Sequence, residues 1–338
     1  MKKLSVLLLI ITFLATNIEI ANSTFSICAV DPVTGEVGSA GASCIANCLI
    51  LSYVRPNWGV AHVQASWTQT NYNNAKRLML LGYSPQQIRD SVVLQDGNPT
   101  VRQYGFVDLV GGGRVANYTG VNCTNYKNHI TGPTYSIQGN ILLGKHILDS
   151  MEARFLRQTG TLADKLMAAL QGAKVVGADT RCTGSNKSSI SSFLRIRKQG
   201  DTVGTQYLEL VVGNTTGSKD PIDSLQVLYN QWLLTNVGSA GEEMALSPEL
   251  YQNYPNPFNP LTKIKFSIPN ASFVSLKIYD INGRNVSNLL NENMNPGVYY
   301  SPFNGENLSS GVYFYTLETK DLGTGKVFKE ARKMLIVK

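Results

Sequence analysis

Residues 21–32, ANSTFSICAVDP, contain the position with the clearest chemical potential in the chain, Thr24. A threonine at a free N-terminus holds nucleophile and base in one residue. Its hydroxyl attacks an acyl carbon while its own α-amine, with an unperturbed pKa of about 8, accepts the proton near neutral pH. That amine exists only if everything upstream is removed. Lys2 and Lys3, the apolar run LSVLLLIITFLAT and the polar NIEIANS read as a secretory signal peptide over 1–23. The run falls short of the ~20 apolar residues of a comfortable membrane span. Ala21 and Ser23 supply the small residues that favour cleavage after Ser23, which would leave Thr24 first.

Few other residues form a recognisable chemical constellation. The five cysteines, Cys28, Cys44, Cys48, Cys123 and Cys182, all precede residue 190. In an exported chain they suggest one or two disulfides and an odd thiol, with the pairing open. CIANC (44–48) lacks the spacing of a zinc or redox site, and His62, His129 and His146 form no ligand motif, so no metal or other cofactor is expected. The triple glycine of YGFVDLVGGGRVANYTG precedes a strand, not a helix, so it reads as a hairpin turn and not a phosphate loop. Net charge is +7, or +6 without the first 23 residues, and the cations are spread over both halves. No nucleic-acid footprint is visible.

The elements that must position Thr24 follow an order of strands, paired helices, strands, paired helices, strands. TFSICAV, EVGSAGAS, CLILSYV and GVAHVQAS read as strands, and two helices follow over 73–97. Gly82 ends the first and Ser84-Pro85 caps the second. The hairpin and TYSIQGN come next, then the helices ILLGKHILDSMEARFLRQ and LADKLMAALQGA. SSISSFLRIRK and TQYLELVVG close the strands, and PIDSLQVLYNQWLLTN is a last helix. This order predicts two helical layers enclosing two stacked sheets. A polar linker over 237–249 leads to an all-β segment of five to seven strands, with a type I′ hairpin expected at Asn282-Gly283.

Residues 250–338 resemble the type A sorting domain of bacterial type IX secretion. The resemblance rests on LYQNYPNPFNP, KIKFSIP, VSLKIYDINGRNV, NPGVYY, LSSGVYFYTLE and the terminal KMLIVK, in that order. It implies an immunoglobulin-like sandwich, export across the outer membrane by the type IX machinery, and a secreted or surface-attached product. Residues 24–236 are similar to the domain-of-unknown-function 1028 family through TFSICAVDPVTGEVGSAGAS, YGFVDLVGGGRVANYTG, GPTYSIQGNILLG and GADTRC. That resemblance implies an α+β, four-layer αββα sandwich of the N-terminal-nucleophile (Ntn) hydrolase type. Family members usually carry Met directly before the threonine that aligns with Thr24; here a signal peptidase would expose it.

Beside Thr24, four residues are candidates for the site. The Ser43 hydroxyl ends the second strand, where it can face the Thr24 amine or merely allow close sheet packing. Asn140 offers an amide to an oxyanion, or caps the following helix. Asp179 and Arg181 form an ion pair that either positions the site or serves the fold alone. His129 matches a family position but has no catalytic partner in the sequence. The expected function is hydrolysis of an amide in a peptide, acylated amine or cell-wall fragment, with Thr24 as nucleophile and base. The rival expectations are a non-catalytic surface protein on the same fold and, with less support, a polysaccharide-binding protein.

Overall fold

The computed structural model describes residues 24–202, 206–235 and 247–337. The expected signal peptide and most of the expected linker lie outside the described residues. The chain divides into two compact units between Leu225 and Gln226.

The first unit begins with strands β1 (Thr24–Asp31) and β2 (Glu36–Ser43), then β3 (Ser52–Arg55) and β4 (Gly59–Ala65). Helices α1 (Gln69–Leu80) and α2 (Pro85–Gln95) are followed by β5 (Arg102–Asp108), β6 (Arg114–Thr119), β7 (Asn128–Thr131) and β8 (Tyr135–Asn140). Helices α3 (Lys145–Arg157) and α4 (Leu162–Gly172) and strands β9 (Ser191–Arg197) and β10 (Leu208–Val212) complete the first unit, and the division between the units falls within helix α5 (Pro221–Thr235). All strand pairs are antiparallel. They form a six-stranded sheet, β10-β9-β2-β1-β8-β7, and a four-stranded sheet, β3-β4-β5-β6.

Strand alternation determines what each sheet face meets. The outer face of the four-stranded sheet, through Ala61, Val63, Tyr104 and Phe106, packs on Ala75, Leu78 and Met79 of α1 and Ile88 and Val92 of α2. The six-stranded sheet carries α3 and α4 on its outer face. A β-carbon at Gly38 would collide with Leu166 of α4, which shows how closely helix and sheet approach. The two sheets stack on each other through β1, β2 and β8 against β4 and β5. The order of layers is therefore helix, sheet, sheet, helix, as the sequence predicts.

Local chemistry places the helix ends. Ser84 and Gln87 form a reciprocal capping box with Pro85 at the first helical position, and Thr161 and Asp164 form another at α4. In the first unit three sequence readings are corrected. CLIL (48–51) forms a 3₁₀ turn, its entry capped by the Asn47 side chain, and the strand starts only at Ser52. The helix expected from Ile141 begins at Lys145, because Ile141 sits at φ +55° and Leu142 bridges to Asp179. Gly144, not Asn140, occupies the N-cap of α3. The short edge strand β7 had no signal in the sequence reading; it holds His129, whose Nδ1 lies 2.9 Å from Thr119 Oγ1.

The second unit contains β11 (Glu249–Leu250), β12 (Leu261–Ile268), β13 (Ser272–Tyr279), β14 (Asn285–Met294), β15 (Gly297–Asn304), β16 (Gly311–Asp321) and β17 (Val327–Ile336). Two antiparallel sheets, β11-β12-β15 and β14-β13-β16-β17, enclose a core that includes Ile264, Phe266, Leu276, Ile278, Tyr315 and Leu317. The β13–β14 turn is not type I′. Of the Asn-Gly pair only Gly283 takes a left-handed φ, +75°, and its N–H donates to the Asp280 carbonyl, closing a turn over 280–283. Asp280 Oδ1 accepts the N–H groups of Asn282 and Arg284, so the aspartate organises the loop and glycine closes it.

Candidate active site

Thr24 is the first residue of β1 and is paired across the sheet with Asn140, the last residue of β8. On its other side the Phe25–Ala42 pair sets the register with β2, which brings Ser43 alongside. The Thr24 hydroxyl donates to Ser43 Oγ at 3.3 Å. Thr24 and Asn140 are each 1% exposed and Ser43 is fully buried. Three strand ends thus deliver a hydroxyl, a second hydroxyl and an amide to one place.

The chain that follows Asn140 brings in the remaining two candidates. Leu143 N–H donates to the Ala178 carbonyl and Thr180 N–H to that of Ile141, which lays segment 178–180 against 141–143. Asp179 is fully buried there. Its carboxylate accepts the Cys44 N–H at 2.8 Å, the Arg181 N–H at 3.1 Å, and guanidinium Nε and Nη2 of Arg181 at 3.2 and 2.9 Å. Cys44, which follows Ser43 in the chain, is also disulfide-bonded to Cys182, with Cα atoms 6.0 Å apart. All five residues singled out from sequence therefore cluster at one end of the first unit.

Beneath them lies a buried polar layer between the sheets, which the sequence reading did not identify. His62 is fully buried, with Nδ1 2.9 Å from Ser26 Oγ and 2.8 Å from Gln138 Nε2, and Nε2 2.5 Å from Ser39 Oγ. Since an amide NH₂ only donates, Gln138 makes Nδ1 the acceptor and leaves the ring proton on Nε2. Desolvation, aided by the Arg195 charge, holds the imidazole down at about 3, so it stays neutral. Gln64 accepts from Ser26 Oγ at 2.6 Å and donates to the Thr24 carbonyl at 3.4 Å and to Gln103 at 3.0 Å. Gln103 in turn donates to the Gly139 carbonyl at 2.9 Å, one residue before Asn140. Gly105 makes room for this layer, since a β-carbon there would strike Gln138 Oε1. Toward the opposite end of the strands the same interface turns apolar, with Cys28, Val30, Val37, Val60 and Val107. The visible signal was the alternation of His62 and Gln64 with apolar residues in β4, which matches Ser26 and Ser39 on the facing strands.

Backbone strain marks the same region. Ile141, just after Asn140, and Ala65, just after Gln64, hold left-handed φ values of +55° and +70°. Such conformations cost ~1–2 kcal/mol for residues other than glycine. A groove of about 220 Å³ opens elsewhere, between Val30–Pro32, Pro133–Tyr135, Phe155, Leu156, Leu162 and Lys165, and holds none of the five candidates. Among the described residues no group of His, Cys, Asp and Glu side chains is arranged to hold a metal, and no helix is long and apolar enough to cross a membrane.

Fold and clustered strand ends define an α/β protein of stacked antiparallel sheets between helices, joined to an all-β unit. The chain belongs to the family of unknown function DUF1028, whose model matches residues 24–225. Residues 252–330 match the secretion system C-terminal sorting domain, which marks the protein for the cell surface or the exterior by type IX secretion and implies engagement of that machinery. Among solved structures, the chain resembles protein SPO2555 from Silicibacter pomeroyi, described under the same DUF1028 family. Identity is 24%, the TM-score is 0.52, and the match covers 62% of this chain and 88% of that one. CopC from Methylosinus trichosporium OB3b aligns at 15% identity over 27% of this chain and 93% of that chain, with a TM-score of 0.21. PorZ of the Porphyromonas gingivalis type-IX secretion system aligns at 19% identity over 30% and 13%, with a TM-score of 0.18. Neither score bears on the fold. No curated protein matches the chain.

Proposed function

We propose that the first unit is an Ntn-type amide hydrolase carried to the surface by its sorting domain. Cleavage after Ser23 frees the Thr24 α-amine. The amine takes the proton of the Thr24 hydroxyl as Oγ1 attacks the carbonyl of a peptide, acylated amine or cell-wall fragment. The Asn140 amide is the donor assigned to the oxyanion. Ser43 holds the Thr24 hydroxyl, and the Asp179–Arg181 pair positions the Ser43–Cys44 backbone. As the tetrahedral intermediate collapses, the C–N bond breaks and the α-ammonium gives its proton to the leaving amine, leaving an acyl-threonine ester. Water then attacks that ester with the freed α-amine as base, releasing the acid and restoring the Thr24 hydroxyl.

The supporting observation is the Thr24–Ser43 hydrogen bond with Asn140 opposite in register. The rival, a non-catalytic surface-binding protein, draws on the burial of Thr24 and on the location of the 220 Å³ groove away from it. One experiment separates the two. The N-terminus of the exported protein is read by mass spectrometry, and the protein is treated with a β-lactone as acylating probe. A chain that begins at Thr24 and gains an acyl adduct there, absent in Thr24→Ala, supports the hydrolase. A chain that begins upstream of Thr24 excludes the mechanism.

A further inference from the structure

Cys44 is held twice by the segment that carries Asp179. Its backbone N–H donates to Asp179 Oδ2 at 2.8 Å, and its sulfur is bonded to Cys182, three residues past Asp179. Asp179 N–H donates to the Ser188 carbonyl and Asp179 pairs with Leu142, so this segment is anchored on its far side to the chain just after β8 and to the approach of β9. Cys44 has left β2, and Ile45 to Asn47 lead into the 3₁₀ turn; its neighbour Ser43 is the partner of the Thr24 hydroxyl. The covalent path runs from Cys182 through Cys44 to Ser43 and ends 3.3 Å from the proposed nucleophile.

We infer that the Cys44–Cys182 disulfide is a redox requirement of the candidate site: oxidation fixes Ser43 and Asp179 against Thr24, and the reduced protein keeps its fold but loses the alignment. This inference rests on the Thr24 reading. Its consequence is that two events of export act on one cluster. Signal cleavage would create the α-amine, and the oxidising compartment would close the bond that aligns it. In the oxidation both thiols lose their protons and together two electrons, passed by thiol–disulfide exchange to a disulfide oxidant of that compartment. A chain still in the reducing cytosol would have neither feature, which keeps a secreted hydrolase inactive at its site of synthesis.

The other thiols do not compete for this pairing. Cys28, Cys48 and Cys123 are buried, and burial raises all three, Cys28 and Cys48 to about 12. Thiol exchange needs thiolate, so reduction and reoxidation return the same bridge. Cys44 is itself only partly buried, which gives a soluble dithiol access.

The test uses the mature chain 24–338, purified oxidised, with the β-lactone adduct on Thr24 followed by intact mass. The protein is reduced with dithiothreitol, which becomes its cyclic disulfide, and is desalted under argon before labelling. The expected result is a fall in labelling rate of about tenfold or more, the scale of a small misplacement of reacting groups. Near-UV circular dichroism should be retained, and reoxidation should restore the rate. The Cys44→Ser/Cys182→Ser double variant should behave like the reduced protein and ignore dithiothreitol. Equal labelling of oxidised and reduced protein would overturn the redox requirement and leave the nucleophile intact. Loss of near-UV dichroism on reduction would overturn it as well, since the bridge would then hold the whole fold. No labelling of the oxidised chain would instead overturn the Thr24 reading itself.

Discussion

The hydroxyls of Thr24 and Ser43 lie 3.3 Å apart, at adjoining ends of the neighbouring strands β1 and β2. The bond fixes the side-chain rotamer of the residue assigned the attack, so its loss should affect reactivity more than stability. Ser43→Ala should slow β-lactone acylation of Thr24 by about tenfold or more, since precise placement of reacting groups carries much of a rate. Its cost in stability should stay near 1 kcal/mol, the net worth of one buried hydrogen bond. Intact-mass kinetics and a urea midpoint measure the two. An unchanged rate in a folded variant would remove Ser43 from the site.

Asp179 is the most heavily used acceptor of the cluster, taking four N–H groups from Cys44 and Arg181 while fully buried. Asp179→Asn would turn an NH₂ toward donors and remove the charge that balances Arg181. Arg181 keeps 28% of its side chain exposed and can regain water. That exposure tempers the loss to roughly 2 kcal/mol, below the range for wholly buried pairs. The urea midpoint should fall at unchanged slope.

The layer order, the Ser84-Pro85 cap and the all-β character of the second unit were readable because each rests on local chemistry: alternation, cap residues and turn residues. The polar layer was not. In β1 and β4 the polar residues Thr24, Ser26, His62 and Gln64 alternate with apolar ones, the pattern of a strand with one wet face. Here both faces are buried, and the polar face meets a second polar face. Only the tertiary stacking of the sheets shows that. The start of α3 was misplaced for a similar reason: Ile141 and Leu142 continue the apolar spacing of a helix, but the contact of Leu142 with Asp179, 37 positions on, claims them first. Candidate site residues were nameable because the resemblance pointed to them, whereas their mutual geometry depends on pairings 19 to 135 residues apart.

In the second unit, the motif LYQNYPNPFNP is tied to the core by Tyr315. Its hydroxyl donates to the Tyr251 carbonyl at 2.8 Å and accepts the Asn253 N–H at 2.7 Å, while the ring is fully buried. Tyr315→Phe keeps the ring and abandons both backbone groups. The expected cost is about 1–3 kcal/mol, the penalty for leaving a buried backbone group without its partner. Thermal unfolding of the full chain should show the transition of this unit shifted down and that of the first unit unmoved.

His62 supplies a pH dependence with a definite direction. Ser26, Ser39 and Gln138 face its ring nitrogens from β1, β2 and β8, and the Arg195 charge bears on it from β9. None of these is an anion that would favour the imidazolium. The folded imidazole is held at about 3, against an ordinary value of 6.5. Above the ordinary value folded and unfolded chains both carry neutral imidazole, and the contribution to stability is complete. As pH falls through the interval between those values, the unfolded chain binds a proton that the folded chain refuses. Stability therefore falls with acidification, by up to about 1.4 kcal/mol per pH unit from this residue. Carboxylates add their own slope below about pH 5, so the comparison belongs between about pH 5 and 6.5. His62→Gln, which keeps a neutral amide in the polar layer, should lower the urea midpoint overall and flatten its pH dependence in that interval. Equal slopes in the two proteins would show that the imidazole is protonated alike in folded and unfolded chains.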